Sequence, residues 1–193
     1  MLTQMLCFML IKMKTLLITV TFLLTISIII KGQTYNLNST KFKVGDKYVP
    51  RPNILFDFGK WSIKPENYSL IDSIANFLIE NSNLKIEIGY HLDYPRDPKS
   101  SIMLDMKRTQ SISDYLISKG VSRERLLSKG YGNFLPYKVD SVTALKYKFF
   151  TNGQVLNEEF IKTLSNLDEK ETANMLNRRA EFIITSININ KTK

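Results

Sequence analysis

A single cysteine, Cys7, and a single histidine, His91, stand among 193 residues. One cysteine excludes an internal disulfide framework, and its place ahead of the N-terminal apolar run leaves no acceptor for a lipoprotein anchor. With no second histidine and no cysteine cluster, a zinc-type centre lacks ligands, so no metal or other cofactor is expected. Glycine is also scarce, with eight in the chain. The close pair in Gly130-Tyr131-Gly132 lacks the strand–GxxxxGK–helix setting of a phosphate loop. Ser100-Ser101 has no neighbouring base beyond His91 and no nucleophile-elbow context. Asp57, Asp93, Asp97 and Asp105 are not held at a separation that paired-acid chemistry would need. These gaps make an enzyme the weaker reading and a binding module the stronger one. No internal repeat or low-complexity tract occurs.

A full membrane span is missing too. Leu16 to Ile30 (LLITVTFLLTISIII) is fifteen residues without a charge, short of the about 20 that a spanning helix needs. Lys12 and Lys14 precede it and Lys31 follows, the layout of an export signal over residues 1–32, with Met13 as an alternative start and Gly32 as the small residue before cleavage. An uncleaved anchor and a buried helix are the other readings of the run. The formal charge of +9 falls to about +6 once Lys12, Lys14 and Lys31 are set aside. Such a surplus suits any anionic surrounding. Basic residues are scattered among acids and form no stripe, and an exported chain seldom meets nucleic acid, so no nucleic-acid partner is expected.

What is present reads as one domain. Residues 33–52 are a polar lead-in or linker, 53–189 a domain with an insertion at about 138–167, and 190–193 a tail. Asn53 to Phe58 (NILFDF) alternates as a strand. Pro65 opens a helix on which Leu70, Ile71, Ile74, Phe77 and Leu78 share one stripe. Lys85 to Tyr90 is a second strand. Ile102 to Lys119 is a second long helix, with Ile102, Met106, Ile112, Tyr115 and Leu116 as its buried side and Gly120 as its stop. A short third strand runs from Leu126 to Lys129. Asn152-Gly153 predicts a two-residue hairpin between Tyr147–Thr151 and Gln154–Leu156. A short helix over Glu158–Leu164, a helix capped by Asp168 with Glu171, and a strand over Ala180–Ile187 complete the order. Two long helices between strands point to an α+β two-layer sandwich with the helices on one sheet face.

Asp93 leaves the second strand and Arg108 returns on the following helix. A carboxylate can receive an ammonium group, and an arginine fork can hold a carboxylate. Together they would grip a small zwitterion; apart, they are a solvated loop acid and a helix-surface arginine. His91 packs inside the sheet or rims that pocket. Asn177, Arg178 and Arg179 form a second polar cluster that binds an anion or pairs with Asp57, Glu66 or Glu87.

Several runs resemble, in order, the OmpA C-terminal-like (OmpA/MotB) peptidoglycan-binding domain. Ile54-Leu55-Phe56-Asp57-Phe58 resembles its first strand, and His91-Leu92-Asp93 its His-Thr-Asp. Leu104 to Thr109 resembles its leucine-serine-x-x-arginine-alanine run. Gly120-Val121, Arg125-Leu126, Gly130-Tyr131-Gly132 and Pro136 follow as later landmarks. Asn177-Arg178-Arg179-Ala180-Glu181 resembles its closing signature. The resemblance implies a mixed four-stranded sheet in a β-α-β-α-β-(insertion)-α-β order. It also implies non-catalytic binding of the diaminopimelate of the peptidoglycan stem peptide, with Asp93 and Arg108 on its amino and carboxylate groups. Arg179 is a third candidate ligand group, Arg178 a supporting one, and His91, Tyr94, Ser101 and Asn177 candidate rim residues. The implied setting is the periplasm or the periplasmic face of the outer membrane. An envelope protein is the implied partner, and membrane association would come through that partner or through an uncleaved signal. Tyr90, Leu92, Asp105 and Thr109 depart from the family pattern, and the path Tyr94 to Ser101 is proline-stiffened and basic. A structural or protein-interaction module of an envelope complex is therefore the alternative, and a cell-wall hydrolase a weaker one.

Overall fold

The computed structural model describes residues 34–93 and 98–188. The expected export signal, the C-terminal tail and the loop residue Tyr94 lie outside them.

Strands β1 (Lys47–Tyr48), β2 (Leu84–His91), β3 (Leu126–Gly132) and β4 (Arg179–Ile187) form one sheet in the spatial order β1-β4-β2-β3. β2 runs parallel to β3 and antiparallel to β4, and β1 runs antiparallel to β4. Helix α1 (Tyr68–Glu80) precedes β2 and α2 (Pro98–Ser118) follows it. Three short helices, α3 (Ser141–Lys146), α4 (Glu158–Thr163) and α5 (Leu167–Asn177), lie between β3 and β4. The result is a mixed sheet with helices packed on one face.

The period of two in β2 and β4 decides which residues meet the helices. Ile86, Ile88 and Tyr90 stand opposite Ile184, Phe182 and Ala180, and all six are buried with Ile71, Ile74 and Leu78 of α1 and Ile112 and Leu116 of α2. Each large aliphatic side chain in this cluster contributes about 1.5–3 kcal/mol. α1 ends at Asn81, whose side-chain amide donates to the Phe77 carbonyl at 2.9 Å. Arg125 then collects the carbonyls of Leu78, Asn81 and Leu84, each at 2.8 Å. A cation at a helix C-terminus is favourable for its charge as well as its bonds. Gly120, at φ 101°, closes α2, with the Val121 amide donating to the Leu116 carbonyl at 3.1 Å.

Four expectations are corrected. Asn53 to Phe58 alternates like a strand but joins no ladder, and Lys47–Tyr48 supplies the edge of the sheet instead. Its polar groups are taken by side chains: the Asn53 amide bridges the Arg178 carbonyl and the Ala180 N–H, Tyr90 Oη donates to the Ile54 carbonyl at 3.1 Å, and Asn67 to the Leu55 carbonyl at 2.9 Å.

The buried stripe of α2 holds at Ile112 and Leu116 but departs in the first half of the helix. Ser101, Asp105, Arg108 and Thr109 face inward with Ile112 and Leu116, while Ile102 and Met106 are exposed. Asp105 Oδ2 accepts the Gly132 N–H at 2.8 Å, so the first half of the helix is held by polar contacts.

The Asn152-Gly153 turn forms with Gly153 at φ 88°. Its following segment pairs with residues 137–139, through Val139 N to the Gln154 carbonyl at 2.8 Å and Leu156 N to the Tyr137 carbonyl at 2.9 Å. Phe150 is instead buried in a second apolar cluster with Tyr137, Val139, Leu156 and Ala173, against which Tyr147 packs. Finally, α5 is capped by Asn166, whose side chain accepts the Asp168 N–H at 2.8 Å.

Candidate functional site

Asp93 lies two residues beyond the end of β2, and its Oδ2 receives Arg178 Nη1 at 2.6 Å. The other arm of Arg178 reaches Glu171 of α5. Arg108, on α2, is only 4% exposed. Its Nε donates to the Lys60 carbonyl at 3.0 Å and its Nη2 to the Asp57 carbonyl at 3.2 Å. The guanidinium carbon lies 5.1 Å from the ring centres of both Phe56 and Tyr90. Burial pushes the Tyr90 hydroxyl far above its ordinary value, and that one group also feels Arg108, Asp105, Arg178 and Asp93. Arg108 thus lies over Tyr90, while Asp93, three residues further along the chain, is held by Arg178 from the α5–β4 junction.

Ser101 packs toward β3, where a Cβ added at Gly132 would lie 3.5 Å from the Ser101 Cβ. Its hydroxyl is buried and makes no hydrogen bond among the described residues.

The remaining expected site residues lie elsewhere. His91 and Arg179 are opposite each other in the β2–β4 register and, by alternation, face away from the helices. Arg179 is buried, with Nε on Glu181 Oε1 at 2.7 Å, Nη1 on the Asn177 carbonyl at 3.3 Å and Nη2 on the Leu135 carbonyl at 3.1 Å. His91 stacks on Tyr131 with ring centres 4.6 Å apart and planes within 1°. Burial lowers its pKa, with Arg179 adding to that push and Glu181 opposing it. Asn177 fastens the insertion: its Oδ1 accepts the Tyr137 N–H at 2.7 Å and its Nδ2 donates to the Leu156 carbonyl at 2.8 Å.

Two partners were not legible as such from the sequence. The backbone turn Asp57–Lys60 receives Arg108 through carbonyls, which no side-chain pattern advertises. Glu181 partners Arg179 two residues on along one strand, a spacing that alternation alone places on one face. Among the described residues no group of three or more His, Cys, Asp or Glu is placed to hold a metal. No helix among them is long and apolar enough to cross a membrane.

Residues 55–145 match the model of the OmpA family. The match covers just under half of the chain. It is 31% identical over 107 residues to the peptidoglycan-associated lipoprotein of Buchnera aphidicola, covering 55% of this chain and 62% of that protein. It is 25% identical over 105 residues to outer membrane protein P5 of Haemophilus influenzae, covering 54% of this chain but only 26% of that protein. The chain thus matches about a quarter of the length of P5. An outer membrane protein from Borrelia burgdorferi superposes with a TM-score of 0.49 at 22% identity, covering 76% of this chain and 94% of that one. The family match takes in Asp93 and Arg108. It ends ahead of Asn177, Arg178 and Arg179, which follow the insertion.

Proposed function

We propose that this OmpA-like domain binds peptidoglycan without catalysis, in the periplasm or on the periplasmic face of the outer membrane, and anchors an envelope component to the wall. The diaminopimelate of the stem peptide is the ligand. Asp93 receives its ammonium group and Arg108 its carboxylate, with Tyr94 and Ser101 at the rim. The observation that carries this reading is that Asp93, just beyond the end of β2, and Arg108, buried on α2 against Tyr90, both fall inside the segment that matches the family. The match to a peptidoglycan-associated lipoprotein supports it. Binding exchanges one cation on Asp93 for another, the ligand ammonium for Arg178. His91, Arg179 and Asn177 act from behind, holding the sheet end and the insertion.

A second reading is favoured by that same Arg178 contact. With Asp93 already on Arg178 at 2.6 Å, and Arg108 already bonded to the carbonyls of Asp57 and Lys60, the charges serve the fold, and the domain is a structural or protein-interaction subunit of an envelope complex.

Co-sedimentation with diaminopimelate-containing sacculi separates the two. Wild type should pellet with the wall, and Asp93→Ala should lower retention at least several-fold while remaining folded. Wild type left in the supernatant would favour the structural reading, and released wall fragments would indicate a hydrolase.

A further inference from the structure

A cavity of about 360 Å³ lies between the sheet face turned away from the helices and the segment entering the insertion, bounded by Lys47, His91, Arg179 and Glu181 on one side and by residues 135–138 and Asp140 on the other. We propose that it is an oxyanion site, taking a small ligand that carries a carboxylate or phosphate group. Its volume is in the range of small-molecule sites.

The charge balance sets the sign. Lys47, Arg51, Lys138 and Arg179 line the cavity against two carboxylates, Asp140 and Glu181. Both carboxylates are already satisfied. Glu181 Oε1 accepts Arg179 Nε at 2.7 Å and Lys47 Nζ at 3.4 Å. Asp140 accepts Arg51 Nη2 at 2.9 Å and the Thr143 N–H at 2.7 Å. Two positive charges remain in surplus, and Lys138 makes no ion pair among the described residues. An entering anion therefore finds cations whose acids are spoken for, in a partly desolvated setting that strengthens the attraction.

The second observation is His91. It is 1% exposed, and neither ring nitrogen makes a hydrogen bond among the described residues. Nε2 stands 3.6 Å from Glu181 Oε2, and the stacked Tyr131 ring fixes the plane of the imidazole. Buried polar groups left without a partner are uncommon, and a bound ion is one recognised reason for them. Val49, Leu135 and Tyr137 add apolar wall beside the charges, so the ligand carries an apolar portion next to its oxyanion. Asp93 and Arg108 do not line this cavity, so the site stands independently of the wall-binding proposal.

Because the chain has one histidine, the imidazole nitrogens give a single, unambiguous NMR signal set. The protein is titrated with inorganic phosphate and, separately, with acetate, against sodium chloride at equal ionic strength. A saturable shift of the His91 signals is expected with at least one oxyanion, phosphate alone indicating a phosphate-bearing ligand and acetate a carboxylate. Lys138→Ala should weaken that binding at least three-fold, whereas Lys107→Ala, which stands over Trp61, should not. Lys138 is exposed, so its variant is expected to keep the wild-type amide spectrum elsewhere. Shifts no larger than those from chloride, or equal affinity in the Lys138→Ala protein, would overturn the proposal.

Discussion

Arg178 Nη1 and Asp93 Oδ2 stand 2.6 Å apart, and the same guanidinium also holds Glu171. Both partners are largely shielded from water, with side chains 28% and 17% exposed, so the pair is worth more than a surface ion pair. A double-mutant cycle of Asp93→Ala and Arg178→Ala, followed by urea denaturation, should give a coupling of about 1–2 kcal/mol. Arg178→Ala should also retain more of the protein on sacculi, since it removes the competitor for Asp93. Coupling near zero would mean that the contact does not organise this corner.

Gly130 is where β3 touches α2 backbone to backbone. A Cβ there would sit 2.4 Å from the Ile102 carbonyl oxygen and 2.9 Å from the Met106 amide nitrogen. Neither atom can rotate away, so Gly130→Ala must displace strand or helix. The expected loss is about 1–3 kcal/mol in chemical denaturation, the range for overpacked sites. A change under about 0.5 kcal/mol would show that the helix yields easily at this point.

The same contact explains what could be read ahead of the structure. Ile86, Ile88 and Tyr90 in β2, and Phe182 and Ile184 in β4, show their faces by alternation because one side of the sheet is apolar throughout. The stripe on α2 misleads, because Ser101 and Asp105 pack toward Gly132 and Gly130 and Arg108 turns to the carbonyls of Asp57 and Lys60, leaving Ile102 and Met106 outside. Asn53 to Phe58 misleads for a related reason: its alternation is genuine, but distant side chains claim its carbonyls. Asp93 and Arg108 stand out by their spacing from strand and helix, but each has its own partner, Arg178 for Asp93 and the Asp57 and Lys60 carbonyls for Arg108. The arrival of Arg178 depends on the α5–β4 junction, and nothing local to Asp93 announces it.

Acid should weaken the fold in two separable limbs. Burial, reinforced by Arg179 and Lys47 and opposed by Glu181, lowers the His91 pKa below its ordinary 6.5. The unfolded chain therefore binds this proton first, and the contribution of His91 is complete above pH 6.5 and lost as pH falls below it. Burial pushes the Glu181 carboxyl up, but the nearby His91 and the charges of Arg179 and Lys47 outweigh it and hold it well below the usual carboxylate range. Its contribution is present above about pH 4.5 and lost below. Unfolding free energy should be level from pH 8 to 6.5, then fall with a slope of at most about 1.4 kcal/mol per pH unit, the limit for one proton. His91→Asn should abolish the limb between pH 6.5 and 5 and keep the steeper one below. A wild-type profile flat down to pH 5 would rule out a buried neutral imidazole.

Asn177 joins the insertion to the sheet through the Tyr137 N–H and the Leu156 carbonyl, and both bonds are buried. Asn177→Ala leaves a donor and an acceptor without water or partner, a cost of about 1–3 kcal/mol for each group. The second apolar cluster, Tyr137, Val139, Phe150, Leu156 and Ala173, has no strand ladder to hold it, so the loss should be felt there first. Amide hydrogen exchange should therefore quicken at Val139, Gln154 and Leu156 in the Asn177→Ala protein, while Ile86, Ile88 and Phe182 keep their protection. Equal quickening in both groups would mean that the insertion and the sheet unfold as a single cooperative unit.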